Sequence, residues 1–224
     1  IKVAEVAHSV FYAPQYVALE LGYFEEEGLE IELFNANGAD KVTSSLLSGD
    51  VQIGLQGPEP TIYLYKNNSK DYLVNFAQLT NTDGSFIFGR EPVENFTLEC
   101  LRGKSILGGR KGGVPEMTLE YALKENSLDP KKDLTLDTSI DFASMGGAFI
   151  GGTGDFVSLF EPLATQIVNE GYGYKVAQLG TLTDNVPYTA YNARISYLEE
   201  NPDVIEGFTR TNKKGLDFIH TKSS

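Results

Sequence analysis

Cysteine, histidine and methionine are all scarce in this 224-residue chain. The single Cys100 cannot close an internal disulfide, and two histidines leave little from which to build a metal site. Cations are short as well: 18 Lys and Arg stand against 31 Asp and Glu, a net charge of −13. That sign argues against nucleic acid or an anionic membrane as partner, since either needs cations to displace counterions. No apolar run approaches the roughly 18 to 20 residues that span a bilayer. The sequence opens on Ile1 with no initiator Met, basic segment or apolar leader, so a removed leader or a partial gene product is expected. It stops at Ser224 directly after a helical pattern, and a further tail is expected there too.

What is present is ordinary for a globular protein. With 41% hydrophobic and 22% charged residues the chain is too apolar for disorder, and its length permits one large or two small domains. Apolar β-rich runs at 2–7, 30–34, 51–55, 74–79, 104–108, 134–138, 156–160, 175–179 and 188–193 predict strands. Helical patterns at 15–26, 40–48, 59–66, 114–126, 142–149, 162–170 and 202–219 alternate with them, which predicts an α/β protein with largely parallel sheets. An internal repeat supports two lobes. Ser48-Gly49-Asp50-Val51-Gln52-Ile53-Gly54-Leu55 returns as Thr153-Gly154-Asp155-Phe156-Val157-Ser158-Leu159, the aspartates lying 155 − 50 = 105 residues apart. Each copy runs from a small-Gly-Asp turn through a buried strand to a Glu/Pro helix start.

The segment His8-Ser9-Val10-Phe11-Tyr12-Ala13-Pro14, with Gly22-Tyr23-Phe24 and Glu27-Gly28-Leu29-Glu30-Ile31, resembles the substrate-binding proteins of nitrate/sulfonate/taurine-type ABC importers. The resemblance includes the branch close to hydroxymethylpyrimidine-synthase-like proteins. Ser48–Gly54 and the Asn201-Pro202-Asp203-Val204 helix start resemble the same family. It implies a type II periplasmic-binding-protein fold: two lobes with parallel-rich sheets, joined by two crossover segments near 80–88 and 187–192. Lobe one would comprise 1–84 plus 190–224 and lobe two 85–189, closing on a ligand held between them. It further implies a monomer outside the cytoplasm, periplasmic or lipid-anchored, that hands a small molecule to a membrane permease without cofactor or metal. The related synthases use a histidine, a cofactor-bearing lysine and a cysteine-rich motif. Cys100 stands alone here, so synthase activity is not expected.

Ligands of open α/β sheets collect at the carboxyl ends of strands, beside unpaired N–H groups of helix starts. That rule selects the candidate binding residues. After the first strand, Ser9 can cap a helix, Phe11 or Tyr12 can stack on a planar ligand, and His8 or Gln15 can hydrogen-bond. After the third strand come Gln56, Gly57 and Glu59. In the second lobe, Arg110, Lys111, Gly112, Gly113 and Glu116 form a glycine-rich turn able to hold an anion, without the Gly-Lys-Ser/Thr ending of a P-loop. Phe160 and Glu161 follow the strand that repeats the third. Gln78, Ser85 and Tyr188 flank the crossings, and Asp83 reads as a residue that pairs hinge strands. Aromatics with three carboxylates (Glu59, Glu116, Glu161) favour a planar ligand with N–H groups, an aminopyrimidine for example. A sulfonate or nitrate would prefer the Arg110-Lys111 turn.

Overall fold

The computed structural model describes residues 1–222. Ser223 and Ser224, and with them the expected continuation of the chain, lie outside the described residues. The chain divides into two compact units, one formed by Ile1–Thr80 with the chain from Thr189 onward, the other by Asn81–Tyr188.

The first unit is built on β1 (Lys2–Glu5), β2 (Glu32–Asn35), β3 (Ile53–Gln56) and β4 (Leu73–Thr80), completed by a late strand at Thr189–Arg194. The second holds β5 (Phe86–Gly89), β6 (Ser105–Leu107), β7 (Thr135–Asp137), β8 (Phe156–Leu159) and β9 (Tyr174–Gln178), which makes the late strand β10. The sheet orders are β2-β1-β3-β10-β4 and β7-β6-β8-β5-β9. They are the same pattern used twice. Three parallel strands come in the order second, first, third; a strand that starts next to a unit boundary then runs antiparallel to the third. The repeated Gly-Asp turns occupy the same place in both, feeding β3 and β8. Gly49 ends the preceding helix with φ +86 and Gly154 has φ +75, left-handed conformations that favour glycine.

Strand interiors are apolar because both faces of each sheet are covered. In β1, Val3 joins a cluster with Phe24, Ile53, Leu55, Tyr191 and Phe208, whereas the next residue, Ala4, faces Val42, Leu46 and Leu73. The second unit repeats this alternation: Ile87 and Ile106 pack with Leu119 and Leu123, while Phe88 and Leu107 pack with Phe149, Val157 and Ile167. The covering helices of the first unit are α1 (Ala13–Glu20), α2 (Tyr23–Glu26), α3 (Ala39–Ser48), α4 (Glu59–Lys66), α8 (Ile195–Glu200) and α9 (Pro202–Lys222). Those of the second are α5 (Val114–Glu125), α6 (Met145–Ile150) and α7 (Leu163–Asn169). None of these helices is long and apolar enough to cross a membrane.

Three elements differ from the sequence reading. The helix expected over 15–26 breaks at Leu21-Gly22, where Gly22 takes φ +71 and starts the separate α2. β5 went unread because its four residues follow directly on the crossing, and α8 because six residues carry too little periodicity.

Candidate functional site

In the first unit the carboxyl end of β1 carries an ionisable residue inside the fold. Glu5 is 1% exposed, pairing in register with Asn35 and Leu55. The chain leaves β1, and Ser9 caps the short 3-10 turn Val10–Tyr12 by accepting from the Phe11 N–H. Pro14, in the first turn of α1, has no N–H to leave unpaired. This entry brings Gln15 and Tyr16 back over β1. Tyr16 Oη donates to Glu5 Oε2 at 2.8 Å, Gln15 Nε2 lies 3.1 Å from the same oxygen, and His8 Nδ1 lies 3.1 Å from Oε1. His8 projects outward, its side chain 71% exposed and its ring 4.4 Å from that of Tyr16. Burial pushes the Glu5 carboxyl above the usual range, and the hydrogen bonds from Tyr16, His8 and Gln15 only partly oppose it. The Tyr12, Tyr16 and Tyr191 hydroxyls are all made weaker acids, chiefly by burial.

The network continues inward. Gln15 Oε1 is 3.1 Å from Tyr191 Oη, which is 2.9 Å from Asn212 Oδ1, and Asn212 Nδ2 donates to the Phe208 carbonyl on α9. At the end of β3, Gln56 is fully buried between Thr43 and Asn192. Half-buried Gly57 leads to Glu59, buried in the first turn of α4. Gln78 is exposed on the edge strand β4.

In the second unit, β5 begins beside the end of β8, because Phe86 pairs with Leu159. Asp83, Ser85 and Ser158 therefore meet there, all buried. The Ser85 N–H donates to Asp83 Oδ1 at 2.6 Å and the Ser158 hydroxyl to Ser85 Oγ at 2.9 Å. Burial raises the Asp83 carboxyl, opposed by hydrogen bonds from Ser85 and Tyr188. Half-buried Phe160 has the rings of Phe142 and Tyr188 at 5.5 and 6.2 Å. At the start of α5, Gly112 has φ +76 and its N–H donates to Glu116 Oε2 at 3.0 Å. Glu116 is the third helical residue and reaches back past the N-cap Gly113 to the residue before it. Burial raises this carboxyl too. Arg110 is half-buried in the turn and Lys111 exposed.

Several residues expected at a ligand are engaged within the fold by these contacts. The carboxylates of Glu116 and Glu161 were expected to face a ligand. Instead Glu116 accepts from its own turn, and Glu161 accepts from the Thr165 N–H at 2.9 Å and the Thr165 hydroxyl at 3.0 Å, closing the start of α7. Gln15 and Gln56 are buried with their amides engaged, so they hold the strand ends in place. Phe11 and Tyr12 pack in the core cluster around Phe208. Asp83 and Ser85 belong to the polar cluster at the end of β8. Glu161→Ala should cost about 1 kcal/mol through loss of the α7 cap; an unchanged urea midpoint would contradict that role.

Glu5 and Tyr16 were missed by sequence reasoning, although a carboxylate inside the apolar run Val3–Ala7 was a usable signal. Ser158, Tyr191 and Asn212 gave none, since their partners are brought by tertiary structure alone. An open depression of about 760 Å³, lined by residues that include Lys2, Glu32, Asp50 and Gln52, lies at the amino ends of β1 and β3, away from these groups.

Residues 10–223 match the family described as NMT1/THI5 like. "Putative binding protein YtlA" of Bacillus subtilis is 46% identical over all 224 residues, which span 67% of its length. A nitrate/nitrite binding protein, NrtA, of Nostoc sp. is 26% identical over 87% of this chain and 48% of its own. A 4-amino-5-hydroxymethyl-2-methylpyrimidine phosphate synthase of Aspergillus parasiticus is 25% identical over 93% of this chain and 63% of its own. The chain thus spans about half to two thirds of these relatives. Among solved structures, the periplasmic aliphatic sulphonate binding protein SsuA of Escherichia coli superposes with a TM-score of 0.78 at 18% identity, over all of this chain and 74% of that one. The fold is that of a periplasmic binding protein.

Proposed function

The chain belongs to the NMT1/THI5-like family, and on that premise we propose that it is the solute-binding component of an ABC importer, working outside the cytoplasm and delivering a small molecule to a membrane permease. The observation that carries this reading is the repeated unit with polar and aromatic groups gathered at the carboxyl ends of its strands: His8 and Glu59 in one unit, Asp83, Phe160 and Tyr188 in the other. Strand ends are where open α/β sheets take ligands. The relatives named as binding proteins support it, YtlA above all through its identity along the whole chain. Catalysis is disfavoured by Cys100, a single half-buried thiol where the resembling synthases use a cysteine cluster.

The ligand we infer is a planar nitrogenous compound bearing N–H groups. Acceptors and aromatic faces outnumber cations at the strand ends, and such a ligand supplies the missing donors. With Glu116 and Glu161 engaged at their own helix starts and Asp83 held in its buried cluster, His8 and Glu59 are the acceptors this reading relies on. A second reading, an anion of the nitrate or sulfonate type, is favoured by one feature, the Arg110-Lys111 turn before the twelve-residue α5.

A thermal-shift panel tests both. Ligand at about 100 times its dissociation constant adds roughly 2.7 kcal/mol, or about 5–10 °C for a chain of this size. We expect that shift with aminopyrimidines. A shift with nitrate or alkanesulfonates alone would transfer the site to the Arg110 turn, and silence from every compound would refute the ligand classes argued for here.

A further inference from the structure

The hydrogen-bond chain behind His8 contains one proton too few if Glu5 is ionised. Asn212 is fixed by its Nδ2, which donates to the Phe208 carbonyl at 3.0 Å; turning the amide over would set two acceptor oxygens against each other. Its Oδ1 therefore faces Tyr191 Oη at 2.9 Å and takes the only proton that hydroxyl has. Gln15, 3.1 Å away on the other side of Tyr191, must then present its NH₂ to the phenol oxygen. Amide oxygen and nitrogen are assigned from such networks. With the NH₂ turned inward, Gln15 Oε1 faces Glu5 Oε2 at the 3.1 Å separation of that pair. Two oxygens that close need a hydrogen between them, and the only group able to supply it is the Glu5 carboxyl. Every member of the chain is buried, so a mismatched pair would cost the full desolvation of an unsatisfied group.

We propose that Glu5 is held as the neutral acid, its Oε2–H donating to Gln15, and that it acts as a positioning residue that fixes His8 with Nδ1–H turned inward and Nε2 turned outward as an acceptor for an N–H of the ligand. With Oε2 protonated, Oε1 is the carbonyl oxygen, and His8 Nδ1 at 3.1 Å must be the donor. Neutral imidazole then carries its lone pair on Nε2, on the exposed side of the ring. Tyr16 completes the arrangement, donating to Oε2 while its own oxygen accepts from the Ser9 N–H at 3.2 Å. Among the described residues the titratable groups facing Glu5 are His8, Tyr12, Tyr16 and Tyr191, so no described cation other than a protonated His8 is there to hold a carboxylate. The raised Glu5 carboxyl agrees with the geometry. The recognition half of this inference rests on the reading of the ligand as an N–H-bearing compound; the protonation half does not.

The sign of the pH dependence separates the two states of Glu5. A carboxyl raised in the folded protein stabilises it fully below the ordinary Glu range, and that stability is lost as pH rises towards the folded value. A Glu5 held ionised, with its carboxyl lowered in the folded protein by the hydrogen bonds it accepts, would give the opposite slope. Carbon-13 NMR of the full 224-residue chain, with the Glu5 signal assigned by its absence from Glu5→Gln, should show a protonated side chain at pH 6, where an ordinary Glu is almost wholly ionised. Glu5→Gln keeps a carbonyl towards His8 and a donor towards Gln15, with Tyr16 accepting from the new NH₂ instead of donating, so it should fold, keep the Nδ1–H form of His8 in nitrogen-15 spectra, and abolish Glu5's part of the stability loss above the Glu range. Adding 4-aminopyrimidine should move the His8 Nε2 resonance, and His8→Ala should lower its affinity about tenfold. An ionised Glu5 at pH 6, or an Nε2–H form of His8, overturns the proposal without touching the import reading. A correct Glu5 and His8 with an Nε2 resonance that 4-aminopyrimidine leaves unmoved overturns the recognition half alone.

Discussion

Phe208→Ala should remove about 3–5 kcal/mol from the stability of the first unit. Phe208 is fully buried near the middle of α9, with the rings of Phe24, Tyr191 and Phe76 at 5.3, 5.0 and 6.1 Å. Truncation removes the transfer free energy of the ring and leaves a cavity that these neighbours cannot fill. Phe24 is held on a single-turn helix, and Tyr191 is tied by its hydroxyl to the network that ends on Asn212. The measurement is the urea midpoint followed by circular dichroism, with the slope as a control on the denatured state. A loss below about 1 kcal/mol would mean that the aromatic cluster collapses to fill the space, and the packing described here would be wrong.

Gly215→Ala should also destabilise, against what helix propensity alone predicts. In an exposed helix interior, alanine in place of glycine gains about 0.8–1 kcal/mol. At Gly215 a Cβ would lie 2.2 Å from the Pro14 carbonyl oxygen and 3.3 Å from the Ala18 Cβ. The first of these is a backbone atom, which cannot rotate away, so α9 must move off α1 at a cost of about 1–3 kcal/mol. That movement would also disturb Gln15 and the chain of hydrogen bonds to Glu5, because Pro14 and Gln15 are consecutive in α1. Gly207, two turns earlier on the same helix, is the control: its nearest contact would be 3.5 Å, an ordinary van der Waals distance, so Gly207→Ala should be neutral or stabilising. Opposite signs at the two positions are the expected result, read from paired melting temperatures. Stabilisation at both would show that the two helices are not in contact at Gly215.

These two positions show where reading a sequence stops. The helical period over 202–219 was plain, and Phe208 belonged to its apolar stripe, but nothing in the string marked Gly215 as a contact. Proximity between Pro14 and Gly215, 201 residues apart, is a property of packing. The same holds for the carboxylates. Glu116 and Glu161 were legible as residues at helix starts, and their position at strand ends made them look available. Only the structure shows that each accepts from a backbone N–H of its own helix start, Gly112 for Glu116 and Thr165 for Glu161, so that a ligand would share the carboxylate with the fold. Glu5 is the reverse case: an apolar run broken by a carboxylate was in view, yet nothing local told a buried acid from one facing solvent.

The sequence by itself determined the α/β class, the alternation of strands and helices, and the duplication seen in the Gly49-Asp50 and Gly154-Asp155 turns. These depend on short-range physics, namely apolar period, glycine at left-handed positions and residues that cap helices. Tertiary structure alone decided that a strand bordering each unit boundary lies antiparallel beside the third strand of its sheet, and which polar side chains hold the fold and which face outward. Tyr191, Asn212 and Gln15 are ordinary residues in their own segments. They become one hydrogen-bonded chain ending on Glu5 because β10 and α9 are laid against α1, and a proton inventory has meaning only once all of its donors and acceptors are in place.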